Sequence, residues 1–469
     1  MDSDKAANFL ERYWEQSILP TLCEFIKIPN LSPAFDPEWA TNGLMDRAVD
    51  LCAGWIRAQE IPGLQLEVMR LPERTPLIYV EIPGGGRESV VMYGHVDKQP
   101  PAEGWSEGLG PYTPVIRNGR LYGRGAGDDG YNLFSCIAAI KALRAQGASH
   151  PRCVMLIETR EESGSQDLAA YVERLKDRIG PVGMIVILDS GAGDYDRLWL
   201  TTSLRGLVAG TLRVKILDQG VHSGDASGVV PSSFRIARQL LDRLEESQSG
   251  KIRVEALYAT IPPERAEQAA ATARVIGEAV WNKFPFVAGG KPVTGDGAEL
   301  LLNRTWRPQL AVTGAAGLPE LTKAGNVLRT ETALKLSLRI PPRVDPDRAA
   351  AVVKQVLEAD PPYGAQVRFE SGGGAWGWNA PSLPTWLDAS LTASSRTGWG
   401  ADPCFMGEGG TLPLLTLFEN HFPGAPFLIT GVLGPGSNAH GPDEFLDLLT
   451  ARRVTATLAR AIYDFQKEA

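Results

Sequence analysis

The chain has 469 residues, 43% hydrophobic and 22% charged, an ordinary globular balance that on length fits two or three domains. A net charge of −8 leaves no basic stripe and argues against a nucleic-acid partner. No apolar run reaches the ~18 residues that suggest a membrane span, and the acidic, amphipathic start MDSDKAANFLERYWEQ does not read as a signal peptide. A cytoplasmic protein with no membrane partner is therefore expected.

The pattern places an amphipathic helix over residues 4–28, with Phe9, Leu10, Tyr13, Ile18, Leu22 and Phe25 on one side and Pro29 closing it. A second helix is expected over 44–60. Strand-like runs follow at 64–70, 77–82 and 88–97; the last, ESVVMYGHVD, is nearly continuous in apolar residues, as a strand buried on both faces would be. After Asp129 a helix places Leu133, Ile137 and Ile140 at helical spacing. RCVMLIE (152–158) is the next buried strand, then a helix over 166–176, then GMIVILD (183–189). Alternation of strand and helix is the α/β signature. The cysteines, Cys23, Cys52, Cys136, Cys153 and Cys404, are odd in number, scattered and away from zinc-finger spacing, which fits buried free thiols in a reducing compartment.

Near Leu204 the character changes. Strand (207–216), helix (233–246), strand (309–314), strand (333–340), helix (347–358) and strand (365–370) give a β-α-β-β-α-β order, that of a ferredoxin-like domain. An insertion over about 255–308 has no assignable pattern, and the Gly- and Trp-rich stretch Gly372 to Trp378 reads as a return linker. From Ser382 the α/β character resumes through GEGGTLP (407–413), APFLITGVLG (425–434) and a terminal helix over 451–467. The expected architecture is one α/β domain with a mixed, mostly parallel sheet, formed by 1–203 and 381–469, carrying an inserted α+β domain over 204–380.

The candidate chemistry lies just beyond the strands, where ligands gather in open α/β sheets. His95 and Asp97 follow the first buried strand; His-x-Asp suits a metal ligand whose ring is oriented by a nearby acid. Taken alone, a histidine there is more often a structural, hydrogen-bonded residue. Asp128 and Asp129 sit in GRGAGDDGYNLF, where helix capping explains one aspartate and leaves the other unexplained. Glu161 and Glu162 read alone as a solvated turn, Asp189 as a cap or Asx turn, and His440, in GPGSNAHGPDE, as a loop histidine. Together, two histidines and three carboxylates are the ligand types of Zn²⁺ or Mn²⁺. One carboxylate can bridge two ions, and a further glutamate can act as general base.

The ordered strings GHVD, GRGAGDD, EESGS, the strand ending in Asp189, HSG (222–224) and NAHGPDE resemble the dinuclear zinc metallopeptidases and aminoacylases over nearly the whole chain. The carnosine and cysteinylglycine dipeptidase branch is the nearest, since GEGGTLP and KLSLRI also fit. The resemblance implies two divalent metal ions per chain, Zn²⁺ or alternatively Mn²⁺, with His95 and Asp189 on one, Glu162 and His440 on the other, and Asp128 bridging. It implies Glu161 as general base, Asp97 orienting His95, and a cis peptide between the two aspartates. It implies that His222 is donated across a homodimer interface to stabilise the oxyanion, the inserted domain serving as lid and dimerisation element. Arg339 and Asn326 would hold the substrate carboxylate and carbonyl, with Glu408, Gly410 and Thr411 lining the substrate end. The implied activity is hydrolysis of dipeptides or, alternatively, of N-acyl or N-carbamoyl amino acids; a binding protein without turnover is the rival from another class. One departure stands out: the family commonly has Lys-Gly after the aspartates, and here Gly130-Tyr131 follows, with Tyr131 facing either substrate or core.

Overall fold

A computed structural model describes residues 1–468, which divide into two compact units. The first comprises Met1–Thr201, Ala380–Met406 and Leu417–Ala469; the second comprises Thr202–Asn379 and Gly407–Thr416.

The first unit is built on a six-stranded sheet. From edge to edge its strands are Gln65–Met69, Leu77–Ile82, Pro151–Glu158, Gly85–His95, Val182–Ile187 and Phe427–Ile429. The last four run parallel, and Leu77–Ile82 is antiparallel to both of its neighbours, so the sheet is mixed and mostly parallel. The central strands are buried on both faces, which is why their sequences are continuous in Val, Ile, Met and Leu. The helices Asn132–Arg144 and Leu448–Glu468 pack on each other and on the sheet, their apolar sides joining one core with Val90, Met92, Met155 and Val186. The N-terminal segment expected as one helix is two, Ser3–Tyr13 and Leu19–Ile26, joined by a wider turn at Trp14–Ile18. Pro20 has no N–H to donate back along the helix, and the wider turn accommodates that missing bond. The cysteines are free, four of them buried.

The second unit carries an antiparallel sheet ordered Gln309–Ala316, Glu331–Ile340, Gly206–Lys215, Gln366–Ala375. In chain order this is second, third, first, fourth strand, the ferredoxin-like arrangement. The helices Ser233–Leu244 and Pro346–Glu358 pack on the sheet through Ile236, Leu240, Val353 and Leu357, against Leu212, Leu336 and Phe369. The insertion that had no legible pattern is helical, with Pro263–Ile276, Ala279–Asn282 and Gly297–Thr305.

Two expectations are corrected. The stretch Gly372 to Trp378 is not a linker: its first four residues complete the strand Gln366–Ala375, and Trp378 begins another. Gly407–Thr416, assigned by sequence to the first domain, belongs to the second unit. Hydrogen bonds hold it there: Arg339 Nη1 donates to Thr411 Oγ1 at 2.8 Å, and Thr411 Oγ1 donates to the Arg205 carbonyl at 2.6 Å. Among the described residues no helix is long and apolar enough to cross a membrane.

Candidate active site

Strand order alone brings the first group together. Gly85–His95 lies between Pro151–Glu158 and Val182–Ile187, all three parallel. Their carboxyl ends therefore place His95 between Glu161 and Glu162 on one side and Asp189 on the other. His95 Nε2 stands 3.5 Å from Asp189 Oδ2, 3.9 Å from Glu161 Oε2 and 3.4 Å from Asp128 Oδ1. The other oxygen of Asp128 is 3.0 Å from His440 Nε2, which is 3.3 Å from Glu162 Oε2. Asp128 thus faces one imidazole with each oxygen.

Asp97 works behind this cluster. One of its oxygens is 3.4 Å from His95 Nδ1, and its two oxygens accept from the backbone N–H groups of Glu161 and Glu162, each at 3.1 Å. A single buried carboxylate so holds the start of the glutamate turn and lies beside the His95 ring, whose Nδ1 is 3.2 Å from the Asp97 backbone carbonyl oxygen. Gln99 Nε2 donates to Glu162 Oε2 at 2.7 Å.

The loop carrying Asp128 is held by close backbone packing. The Asp128–Asp129 peptide is cis. Asp129 Oδ2 accepts from Asn132 Nδ2 at 2.7 Å and from the His95 N–H at 3.3 Å. Gly94 permits that approach, since a Cβ there would lie 2.8 Å from Asn132 Nδ2 and 3.0 Å from Asp129 Oδ2. Tyr131 faces the core: it is fully buried and its hydroxyl donates to the Leu188 carbonyl at 2.5 Å. At Gly130 a Cβ would lie 2.3 Å from the Gly125 carbonyl oxygen and 2.6 Å from Phe25 Cε1. This packing leaves no room for the lysine that the resembling family commonly has there.

The electrostatics are those of a site built around a cation. Burial disfavours charge on His95, yet Asp128, Asp189 and Asp97 together hold its pKa well above the usual imidazole range. Burial likewise opposes charge on His440, but Asp128 and Glu162 raise its pKa to about 11. Burial acts against ionisation of Asp128 too, and is outweighed by His440 and His95, which hold it below the usual carboxylate range. Desolvation pushes Glu161 well up, and with Asp128 pushes Glu162 up to about 7. Protons therefore carry the positive charge that so many acids in one pocket demand. His95 Nε2 is buried and has no hydrogen-bond partner among the described residues, which leaves a ring nitrogen free for a ligand. His95, Glu161 and Asp189, and likewise His95, Asp128 and Glu162, present atoms within 4.8 Å of one another. Nitrogen and carboxylate donors of this kind fit Zn²⁺ or Mn²⁺. The residues present thus fit divalent metal ions.

In the second unit, His222 is exposed and pairs across a short ladder with Val327; the next N–H, that of Ser223, donates to the Asn326 carbonyl at 2.9 Å. His222 and the exposed Asn326, far apart in sequence, are thereby neighbours. Arg339, Thr411 and Gly410 share one region through the bonds described above, and Glu408 is half-buried with Arg304 and Lys283 near it.

Sequence reasoning passed over Arg124 and Glu444. Arg124 Nη1 donates to Glu444 Oε2, Arg124 Nη2 donates to the Gly441 carbonyl at 2.8 Å, and Glu444 Oε1 accepts from the Gly125 N–H at 2.9 Å. Both lay inside quoted strings, GRGAGDD and NAHGPDE; a charge in a glycine-rich turn was the available signal. Glu158, buried and bonded by the Tyr93 hydroxyl at 2.6 Å, was read only as a strand end.

A mostly parallel α/β sheet whose strand ends gather imidazoles and carboxylates, in a chain that also has a ferredoxin-like unit, defines a metal-dependent hydrolase. The profile of peptidase family M20/M25/M40 matches residues 91–464, and the chain belongs to that family. It is 28% identical over 487 residues to a cysteinylglycine-S-conjugate dipeptidase of Corynebacterium striatum, covering all of both chains. It is 30% identical to a beta-Ala-His dipeptidase of Rattus norvegicus, over 87% of this chain and 84% of the relative. The fold matches that of human carnosine dipeptidase 1, with a TM-score of 0.78 at 22% identity over 99% of both chains.

Proposed function

We propose that the chain is a dinuclear dipeptidase, cleaving the amide bond of small substrates that carry a free carboxylate. The observation that carries this is Asp128, with one oxygen 3.4 Å from His95 and the other 3.0 Å from His440, which supports reading it as a carboxylate shared between two ions. The dipeptidase names of the two sequence relatives support the substrate class. Zinc is the proposed ion, with manganese as the alternative. His95 and Asp189 would hold one ion, Glu162 and His440 the other, with Asp128 between them. Bound ions of this kind polarise a carbonyl and ease deprotonation of water.

The chain's own residues do the rest. Glu161 takes a proton from the attacking water on its carboxylate and passes it to the departing amine. Asp97 keeps the His95 ring in place and holds the Glu161 and Glu162 backbone at the same time. Arg339 binds the substrate carboxylate and Asn326 the carbonyl, while Glu408, Gly410 and Thr411 line the substrate end. His222, exposed in the second unit, stabilises the oxyanion of a partner subunit, so the working form is a homodimer. The free cysteines support a reducing, cytoplasmic location.

The test is metal content and activity measured on one sample. About two ions per chain, with activity on dipeptides lost on chelation and restored by zinc or manganese, is the expected result. Turnover confined to N-acyl or N-carbamoyl amino acids would replace the dipeptidase reading by an amidohydrolase one. Failure to bind any divalent ion would overturn the site.

A further inference from the structure

Arg205 is a guanidinium in an unusual position. It is 9% exposed, its Nη1 has no hydrogen-bond partner among the described residues, and its Nε reaches the Gly409 carbonyl only at 3.4 Å. Among the described residues no acidic group acts on its charge. The charged groups that act on it are Arg339 and Arg304, both of its own sign. Arg339 is half-buried, and its bond is to the neutral Thr411 hydroxyl at 2.8 Å. Glu408, the acid of this region, is associated with Arg304 and Lys283.

Buried guanidinium groups are ordinarily paired, because removing them from water without a counter-charge is costly. Among the described residues no counter-charge acts on Arg205 or Arg339. The turn packs closely on the guanidinium: a Cβ at Gly409 would lie 3.3 Å from Arg205 Nη2 and 3.3 Å from Arg304 Cγ, so the glycine adds no side chain between that Nη2 and the turn. Thr411 joins the two arginines, accepting from Arg339 and donating to the Arg205 carbonyl at 2.6 Å. A single carboxylate on Arg339 would still leave Arg205 uncompensated, and the planar guanidinium fork matches a carboxylate in bidentate geometry.

We propose that Arg205, with Arg339 and the Gly409–Thr411 turn, forms a subsite for a second carboxylate, so that the enzyme prefers dipeptides ending in aspartate or glutamate over their amide counterparts. This rests on the reading of Arg339 and Thr411 as substrate contacts.

The experiment compares matched pairs on the metal-loaded protein: Ala-Asp against Ala-Asn, and Ala-Glu against Ala-Gln. The expected result is a kcat/KM at least about tenfold higher for the acidic member, carried mainly by KM, as loss of one charged hydrogen-bonded contact would dictate. Arg205→Met should bring the ratio close to one, and Arg205→Lys should keep part of it. In a parallel measurement, L-aspartate should raise the Tm of the metal-loaded protein more than L-asparagine does. A wild-type ratio of one or less, with neutral dipeptides turned over, would overturn the subsite and leave the dipeptidase reading standing. If no dipeptide is cleaved, the dipeptidase reading falls, and the aspartate–asparagine Tm comparison decides the subsite by itself. If Arg205→Met does not fold, the wild-type ratio remains the deciding number.

Discussion

Arg124 and Glu444, 320 residues apart, form a buried ion pair that ties the turn of Asp128 to the loop of His440. The pair is almost wholly shielded from water. Glu444 also receives the Gly125 N–H, and Arg124 also donates to the carbonyls of Gly441 and Pro100. The His440 loop needs such support. Asn438, His440 and Asp443 all have left-handed φ, at 52°, 66° and 58°, which non-glycine residues adopt at a cost of about 1–3 kcal/mol each.

Glu444→Gln is therefore expected to weaken metal binding about 10- to 100-fold, the usual effect of removing a partner that orients a ligand. Arg124→Met, which leaves a buried carboxylate unpaired, should also destabilise the fold by about 3–5 kcal/mol. Chelator competition and denaturant unfolding check the two effects. Unchanged metal affinity in both variants would show that the pair does not position the ligands.

Glu161→Gln keeps the shape of the side chain and removes its ability to take a proton. Turnover should fall about 10²- to 10⁴-fold with metal content unchanged. Near-normal kcat in a fully loaded variant would remove Glu161 from the base role.

The metal-free protein should lose stability as pH rises from about 4.5 to 7. Burial raises Glu158, and Glu162 with it, to about 7. Over that window the native state holds more protons than the unfolded chain, so unfolding becomes easier as pH rises. His440, raised to about 11, acts in the same direction: its contribution is full below the ordinary imidazole value and fades as pH climbs toward 11. Bound metal replaces these protons, so the Tm gap between loaded and metal-free protein should widen from pH 5 to pH 7. A gap that narrows over that range would contradict the assignment.

Gly130→Lys, which restores the residue type common in the resembling family, should destabilise this protein. The new Cβ meets the Gly125 carbonyl oxygen and the Phe25 ring, and overpacking of this kind costs about 1–3 kcal/mol. Wild-type stability in that variant would mean the turn repacks freely.

His222→Ala and Glu161→Gln subunits are each expected to be impaired alone and to regain activity when mixed, because a mixed dimer recreates one site with both residues. Absence of recovery in demonstrated mixed dimers, or full activity of a sedimenting monomer, would confine His222 to its own chain.

Periodicity was enough for the α/β and ferredoxin-like units. Runs such as VVMY at 90–93 and GMIVI at 183–187 are short, β-branched and continuous, as strands buried on both faces are, and β-α-β-β-α-β order leaves few topologies. The insertion over 255–308 stayed illegible because its helices carry few buried positions: Pro263–Ile276 buries Arg265 and Thr272 rather than an apolar stripe. The chemistry-bearing letters were visible as strings, but their partners were not. Tyr131 reads equally well as a substrate contact or a core residue until its hydroxyl is seen on the Leu188 carbonyl.

The sequence by itself determined which side chains are available: two histidines and a set of acids, each just past an apolar run, because strand ends and the turns after them are local properties of the chain. Only the tertiary structure decided who stands beside whom. Strand order is a non-local choice, and it is the placement of Gly85–His95 between its two parallel neighbours that sets His95 amid Glu161, Asp189 and Asp128. Burial made the same kind of decision for charge. Arg124, Glu444 and Arg205 are ordinary surface letters in the sequence; the fold buries all three, pairing Arg124 with Glu444 and setting Arg205 near Arg339 and Arg304.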